Sequence, residues 1–238
     1  MQASINYGNI SIEQAKQIQQ ELLKKLQIKE YKDPINTIAG ADISFNISSN
    51  VAYGCIVILD FGTLKPIYLS LAKGTLNFPY IPGYLAFREM PILFKAWEQM
   101  QVKPDILMVD GHGISHPKQM GIATQLGILL NQTTIGCAKN LLCGNYSEPN
   151  PIKGSIKYLE YQDTILGAIM RSKTNVKPIY ISPGHKINLE ASIKITEKCI
   201  TKYRIPEPTR QAHKIVNLFR QGILKSGFIA LKDKDLNI

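Results

Sequence analysis

Apolar and polar positions first fall into a regular pattern after Ser11. Ile12, Ala15, Ile18, Leu22, Leu23 and Leu26 recur at helical spacing, and Ser11 with Gln14 carries a capping-box signature, so the pattern predicts an amphipathic helix over 12–27. The period then shortens to that of strands. TIAGADISF (37–45), VAYGCIVILD (51–60) and KPIYLSLAKG (65–74) are β-rich runs, and the turn-like FGTL between the last two predicts an antiparallel hairpin. From residue 83 helices and strands alternate: a helix over about 91–101, the strand ILMVD, a helix over about 118–130 and the short strand TTIGCA. A less regular basic stretch (152–174), the strand KPIYIS and helices over about 189–202 and 207–223 complete the chain. Antiparallel strands followed by βα units predict an α/β fold with a mixed central sheet and helices on both faces. With 238 residues and neither repeat nor linker, one domain spanning 1–238 is expected.

ILMV lacks polar alternation, which suits a strand covered on both faces, and in open α/β sheets function collects at the carboxyl ends of such strands. Asp110 stands at that end. Gly111 and Gly113 behind it free the backbone to turn and let a ligand approach main-chain N–H groups. Taken alone, an Asp-Gly after a strand is equally a turn cap. Asp42 alters the balance, because a charge inside TIAGADISF is costly unless it is paired or coordinates a cation. Two carboxylates about 4 Å apart repel by roughly 4 kcal/mol at an effective dielectric near 20, so adjacent central strands carrying them need a shared proton or a metal. Glu89 is the candidate third ligand: Pro91 marks the first position of a helix and leaves Glu89 just outside it, able to point back at the sheet. An oxygen-only set selects Mg²⁺ or Mn²⁺ over zinc, and HExxH and CxxC spacings are absent.

His116, six residues beyond Asp110 in a Gly/Ser/Pro loop, is expected in the same crevice as a metal-side or proton-transferring group, while His112 orients the turn. Lys139 ends TTIGCA, where an ammonium steadies a scissile phosphate or merely snorkels to solvent. His213 lies beside Arg210 and Lys214 on the last helix, a basic face suited to phosphates. FPYIPGYLAFRE (78–89) makes a stiff loop, either a wedge that unstacks a base or a rigid turn with Tyr80 packed on the core.

Charge sharpens the choice of partner. Lys and Arg number 28 against 18 Asp and Glu, for a net +10 that attracts polyanions. The four cysteines lack CxxC spacing and sit in apolar surroundings, where they read as buried hydrophobes of a reducing compartment. A start without a signal-peptide pattern and without 18 uninterrupted apolar residues points to the cytoplasm, away from membranes. SPGH (182–185) lacks a nucleophile elbow and an acid partner for hydrolase chemistry.

AGADISF, PYIPGYLAFRE, PDILMVDGHGISHPKQMGIATQLGILL, TTIGCAKN, PIYISPGHKINLE and YRIPEPTRQAH, in this order from about residue 40 to 215, together resemble the endonuclease V family, which acts on deaminated purines. The resemblance implies an RNase H-like fold and a DNA repair endonuclease dependent on Mg²⁺, with Mn²⁺ substituting. It further implies recognition of deoxyinosine and hydrolysis of the second phosphodiester bond 3′ to it, leaving 3′-hydroxyl and 5′-phosphate ends. The family's metal carboxylates map onto Asp42, Glu89 and Asp110, and its other active-site positions onto His116, Lys139 and His213. Tyr80 corresponds to the wedge, with Ile81 and Pro82 beside it, and Gly83, Leu85, Gly111 and Ile122 surround the base. Asp105 also lies in a family motif, with a catalytic and a strand-start role both open. Expected partners are DNA containing deoxyinosine or RNA, and a monomer is the default. An inosine-specific endoribonuclease acting on single-stranded RNA, or a lesion-binding module that does not cut, are the alternatives.

Overall fold

The computed structural model describes Tyr7, residues 10–46 and residues 49–231. In chain order the elements are α1 (Ile12–Leu23), β1 (Thr37–Phe45), β2 (Val51–Asp60), β3 (Pro66–Thr75), α2 (Leu85–Glu98), β4 (Ile106–Val109) and α3 (Ile122–Leu130). They continue with β5 (Thr134–Ala138), β6 (Ile156–Tyr161), β7 (Thr164–Met170), β8 (Ile179–His185), α4 (Leu189–Lys198), α5 (Glu207–Arg220) and β9 (Gly227–Ala230). All nine strands join one sheet in the order β6-β7-β8-β5-β4-β1-β2-β3-β9. β1, β2 and β3 form an antiparallel meander, and β4 and β5 run parallel to β1. This is the expected RNase H-like mixed α/β sheet.

Alternation along the strands divides the core in two. On one face Ile38, Val57, Leu69, Met108 and Cys137 pack against Ile195 and Cys199 at α4 and Ala212, Val216 and Phe219 of α5. On the other, Ala39, Ala41, Ile56, Ile58, Leu107 and Val109 meet Ala86, Met90, Leu93 and Ala96 of α2 and Ile122, Ala123 and Leu126 of α3. Helices therefore cover both faces, as the pattern predicts.

Several boundaries differ from expectation. The capping box forms as read, with Ser11 N donating to Gln14 Oε1 at 2.9 Å and Gln14 N to Ser11 Oγ at 3.1 Å. α1 stops at Leu23, and the chain beyond it is drawn onto β8: Gln27 N donates to His185 Nδ1 at 3.3 Å and its carbonyl accepts from Lys186 N at 2.7 Å. The helix expected from Pro91 starts six residues earlier, so Glu89 lies inside α2 and Pro91 in its interior. Interior proline costs about 3 kcal/mol; burial of Ala86, Phe87 and Met90 on the preceding turns offsets it and overrides the proline signal.

The basic stretch 152–174 contains a hairpin, β6–β7, closed by Gln162 and Asp163 at φ 50° and 60°. Two positive φ values are what a tight hairpin turn needs, but without glycine or asparagine they leave little signal. β9 is a four-residue edge strand on β3 that the pattern does not reveal. Of the four cysteines, Cys55, Cys137 and Cys199 are buried, whereas Cys143 is half-buried. The SPGH tetrapeptide lies within buried β8, where His185 serves the α1 connection. Among the described residues no helix is long and apolar enough to cross a membrane.

Candidate active site

β1 and β4 pair in parallel register up to Ala41 opposite Val109, and the next hydrogen bond, Asp110 N to Ala41 O at 3.1 Å, carries the ladder one residue further. Asp42 and Asp110 are thereby neighbours on one face at the carboxyl edge of two central strands. Asp105, at the opposite end of β4, is clamped elsewhere: its Oδ2 accepts from Asn36 N and Thr37 N, both at 2.9 Å, and from Thr37 Oγ1 at 3.1 Å. The strand-start role holds for Asp105.

α5 lies along β1 in step with it. A Cβ on Gly40 would stand 1.9 Å from Pro208 O, so only glycine lets the helix settle this close. One turn on, His213 Nδ1 meets Asp42 Oδ2 at 2.8 Å, and further along Ser44 Oγ donates to Asn217 Oδ1 at 3.2 Å and Arg220 to Asn46 Oδ1 at 3.3 Å. Lys139, just past β5, donates to Asp110 Oδ2. One ligand atom from each of Asp42, Asp110 and His213 lies within 4.8 Å of the other two. Glu89 stands outside that triplet, on α2, and lines the same cavity as the two aspartates.

Electrostatics mark this crowding. Burial, followed by the charges of Asp42 and Asp110, pushes the Glu89 carboxyl up to about 8. Asp110 is raised by burial and by Asp42, against the lowering pull of Lys139. His213 is raised, chiefly by its hydrogen bond to Asp42. The donor set fits a hard divalent cation: two neighbouring carboxylates, a third so hemmed in that it keeps its proton near neutrality, and no thiolate among them.

A cavity of about 340 Å³ opens beside the acids. Asp42, Glu89 and Asp110 line one side; Tyr80, Pro82, Gly83, Leu85, Gly111, Ile122 and His116 line the rest. Ile81 is turned away, packed with Tyr84 against Phe78 and Phe87, so it stiffens the loop without touching the cavity. Tyr80 is 68% exposed, which excludes the alternative of a core-packed ring. Gly83, at φ +81°, is held from two sides: Gln19 Nε2 donates to its carbonyl at 3.1 Å, and the His116 ring bonds its main chain. His116 Nδ1 accepts from Lys118 N at 3.1 Å, and burial lowers its pKa to about 4, so a neutral ring braces the rim. Gly111 and Gly113 both keep negative φ; they supply space, a Cβ on Gly113 falling 2.0 Å from Pro183 O.

Ala86, His112, Met120, Gly121 and Leu142 line the cavity without having been singled out as its walls. His112 does orient the turn, with Nδ1 3.0 Å from Ser115 Oγ, which in turn donates to Ser182 Oγ at 2.9 Å. VDGHGISHPKQMG brings His112, Met120 and Gly121 near Asp110 in sequence, whereas Leu142 carried no signal.

The sequence pattern of the endonuclease V family matches residues 17–214, which include every predicted site residue. The chain belongs to the endonuclease V family. It is thus a nuclease acting on phosphodiester bonds. The endonuclease V of Dictyoglomus turgidum is 47% identical over 201 residues, covering 84% of this chain and 87% of that protein. The crystal structure of the Streptomyces avermitilis endonuclease V superposes with a TM-score of 0.86 at 32% identity, over 91% of this chain and 96% of that one. The Ciona intestinalis endonuclease V, crystallised with a 24-mer DNA containing an inosine followed by a ribo-adenosine, matches with a TM-score of 0.78 at 27% identity, over 90% and 98% of the two chains.

Proposed function

We propose that this chain is a divalent-cation-dependent DNA repair endonuclease that recognises deoxyinosine and hydrolyses the second phosphodiester bond 3′ to it, leaving 3′-hydroxyl and 5′-phosphate ends. One observation carries the reading: Asp42 and Asp110 share adjacent register beside Glu89, and this acidic edge opens onto a base-sized cavity of about 340 Å³ with exposed Tyr80 at its lip. Asp42, Asp110 and Glu89 would hold Mg²⁺ or Mn²⁺, which supplies an activated water and neutralises charge developing on the phosphate. Lys139, tethered to Asp110, adds a fixed ammonium beside the scissile group. His213, its Nδ1 engaged by Asp42 and its Nε2 3.4 Å from Asn217 Nδ2, would exchange that long contact for the departing 3′ oxygen and act as its proton donor.

Tyr80 fills the gap left by the extruded base, and Ile81, anchored on Phe78 and Phe87, keeps it in place. Gly83, Leu85, Gly111 and Ile122 form the walls around that base. The protein works as one domain and as a monomer in the cytoplasm.

Inosine in single-stranded RNA is a second substrate to weigh, because a ribonucleotide directly follows the inosine in the Ciona complex. Against a module that binds without cutting stand the three retained carboxylates. The test is a duplex with one deoxyinosine incubated with Mg²⁺, its ends mapped, beside a matched RNA. A nick at the second bond that disappears in Asp110→Asn is expected; no nick, or one undiminished by that substitution, overturns the reading.

A further inference from the structure

The face of the sheet opposite the base cavity holds a feature that neither the cation site nor the wedge uses. The connection between α4 and α5 runs past the acidic edge and is fastened there twice. Arg204 donates to Lys139 O and Pro178 O, both at 2.7 Å, and to Lys177 O at 2.8 Å. Beside it, the Tyr203 ring lies under the guanidinium of Arg210, 4.2 Å from centroid to carbon. Arg210 is itself held flat by Glu207, whose buried carboxylate accepts from Nε at 3.0 Å and from the terminal nitrogen at 2.6 Å. Arg210 sits three residues before His213 on α5, about 4.5 Å along the helix axis.

The ring is therefore fixed against Arg210, one turn before His213 on α5, and is next in the chain to Arg204, which is bonded to the Lys139 carbonyl. Nevertheless 41% of Tyr203 remains exposed. Lys202, exposed, brings its ammonium within 5.3 Å of the ring centroid, a solvent-facing cation beside an aromatic surface. A rigid, half-exposed aromatic with a guanidinium behind it and a lysine at its side is the combination that stacks a base and meets its phosphate. An anionic partner suits a chain of net charge +10.

Position selects the occupant. The cavity takes the base on the α2/α3 side, whereas Asp42, Asp110 and Lys139 share the α5 side, so a strand cut beyond its lesion must cross the acidic edge toward α5. Resting on the nuclease reading above, we propose that Tyr203, with Arg210 and Lys202, forms a stacking platform for the nucleotide just 3′ of the cleaved bond. Arg204 is a positioning residue for this platform and contacts no substrate.

Two single-stranded deoxyinosine oligonucleotides distinguish the possibilities: they differ only at the nucleotide just past the cut, which carries its base in one and is abasic in the other, and each is 5′-labelled and assayed for kcat and KM. The platform predicts that the wild type favours the strand carrying that base by about tenfold in kcat/KM, mainly through KM, and that Tyr203→Ala reduces this ratio toward one. Tyr203→Phe retains the preference, which separates stacking from a folding defect, and Lys202→Ala lowers the salt dependence of KM by about one unit of log–log slope. Equal cleavage of both strands by the wild type, or a ratio unaltered in Tyr203→Ala, overturns the platform alone. A wild type that cuts neither strand brings down the nuclease reading and the platform with it.

Discussion

The acidic edge and the base cavity touch, yet they are built by different means. Sheet register sets the edge: β1 and β4 pair residue for residue, and α5 follows β1 in step through Gly40, Asp42 and Ser44. Loop contacts set the rim: Gln19 and His116 hold Gly83, and Lys118 reaches Tyr84 OH at 2.5 Å while lying 3.8 Å from its ring centroid. Regular hydrogen-bond ladders fix atoms closely because many bonds must break for one residue to slip, whereas each rim contact is a single bond of about 1 kcal/mol. The contrast teaches that chemistry and recognition should fail separately under substitution.

The largest separation is expected at Asp110. Asp110→Asn removes a cation-binding charge and lowers kcat by about a thousandfold or more, while the melting temperature without cation is unchanged or higher, because a repulsion inside the edge is relieved. Nicking rates beside thermal melts check both halves of that statement. Gly40→Ala attacks the same edge through packing: the new methyl meets the Pro208 carbonyl, costing about 1–3 kcal/mol and several degrees of melting temperature. As α5 lifts, His213 leaves Asp42 and activity falls by up to about a hundredfold. Tyr80→Ala touches only the rim, so stability stays level and the preference for deoxyinosine over an undamaged strand drops about tenfold.

The smallest effect is a pH dependence. Glu89 ionises at about 8 in the fold against an ordinary 4.5, so its contribution is fully present below pH 4.5 and is lost as pH rises through 8. Between pH 7.5 and 8.5 His112, His116 and His185, lowered to about 4 in the fold from an ordinary 6.5, are neutral in the fold and almost wholly neutral in the unfolded chain, so they contribute little slope. Over that window the cation-free protein should melt lower as pH rises, by about 2–4 °C per kcal/mol lost, and Glu89→Gln should flatten the trend. Saturating Mg²⁺ should do the same, since the ion takes the place of the proton.

How much of this could be read in advance follows the same division. TIAGADISF and VAYGCIVILD match β1 and β2 residue for residue because β-rich, mostly apolar runs and flanking turns are local signals. Asp110 was legible as an acid ending an unbroken apolar run, and Asp42 as a charge inside one. The place of Glu89 in α2 was not, because Pro91 is a strong local mark that packing of Ala86 and Phe87 overrides. His213 was readable only as a basic-face residue: its contact with Asp42 depends on Gly40 admitting α5, a fit between segments about 170 residues apart that no local pattern encodes. Likewise, β6–β7 turns on Gln162 and Asp163 in left-handed conformation, where the sequence lacks the usual turn residues.

The claim on which the rest depends is that Asp42, Asp110 and Glu89 serve one cation. An anomalous-scattering map from crystals soaked in manganese tests it most directly. A peak bound by oxygens of both aspartates at about 2.1 Å, with Glu89 completing the sphere directly or through one water, is the expected result. Manganese absent from this edge, or held by His213 with the two aspartates left unshared, contradicts it.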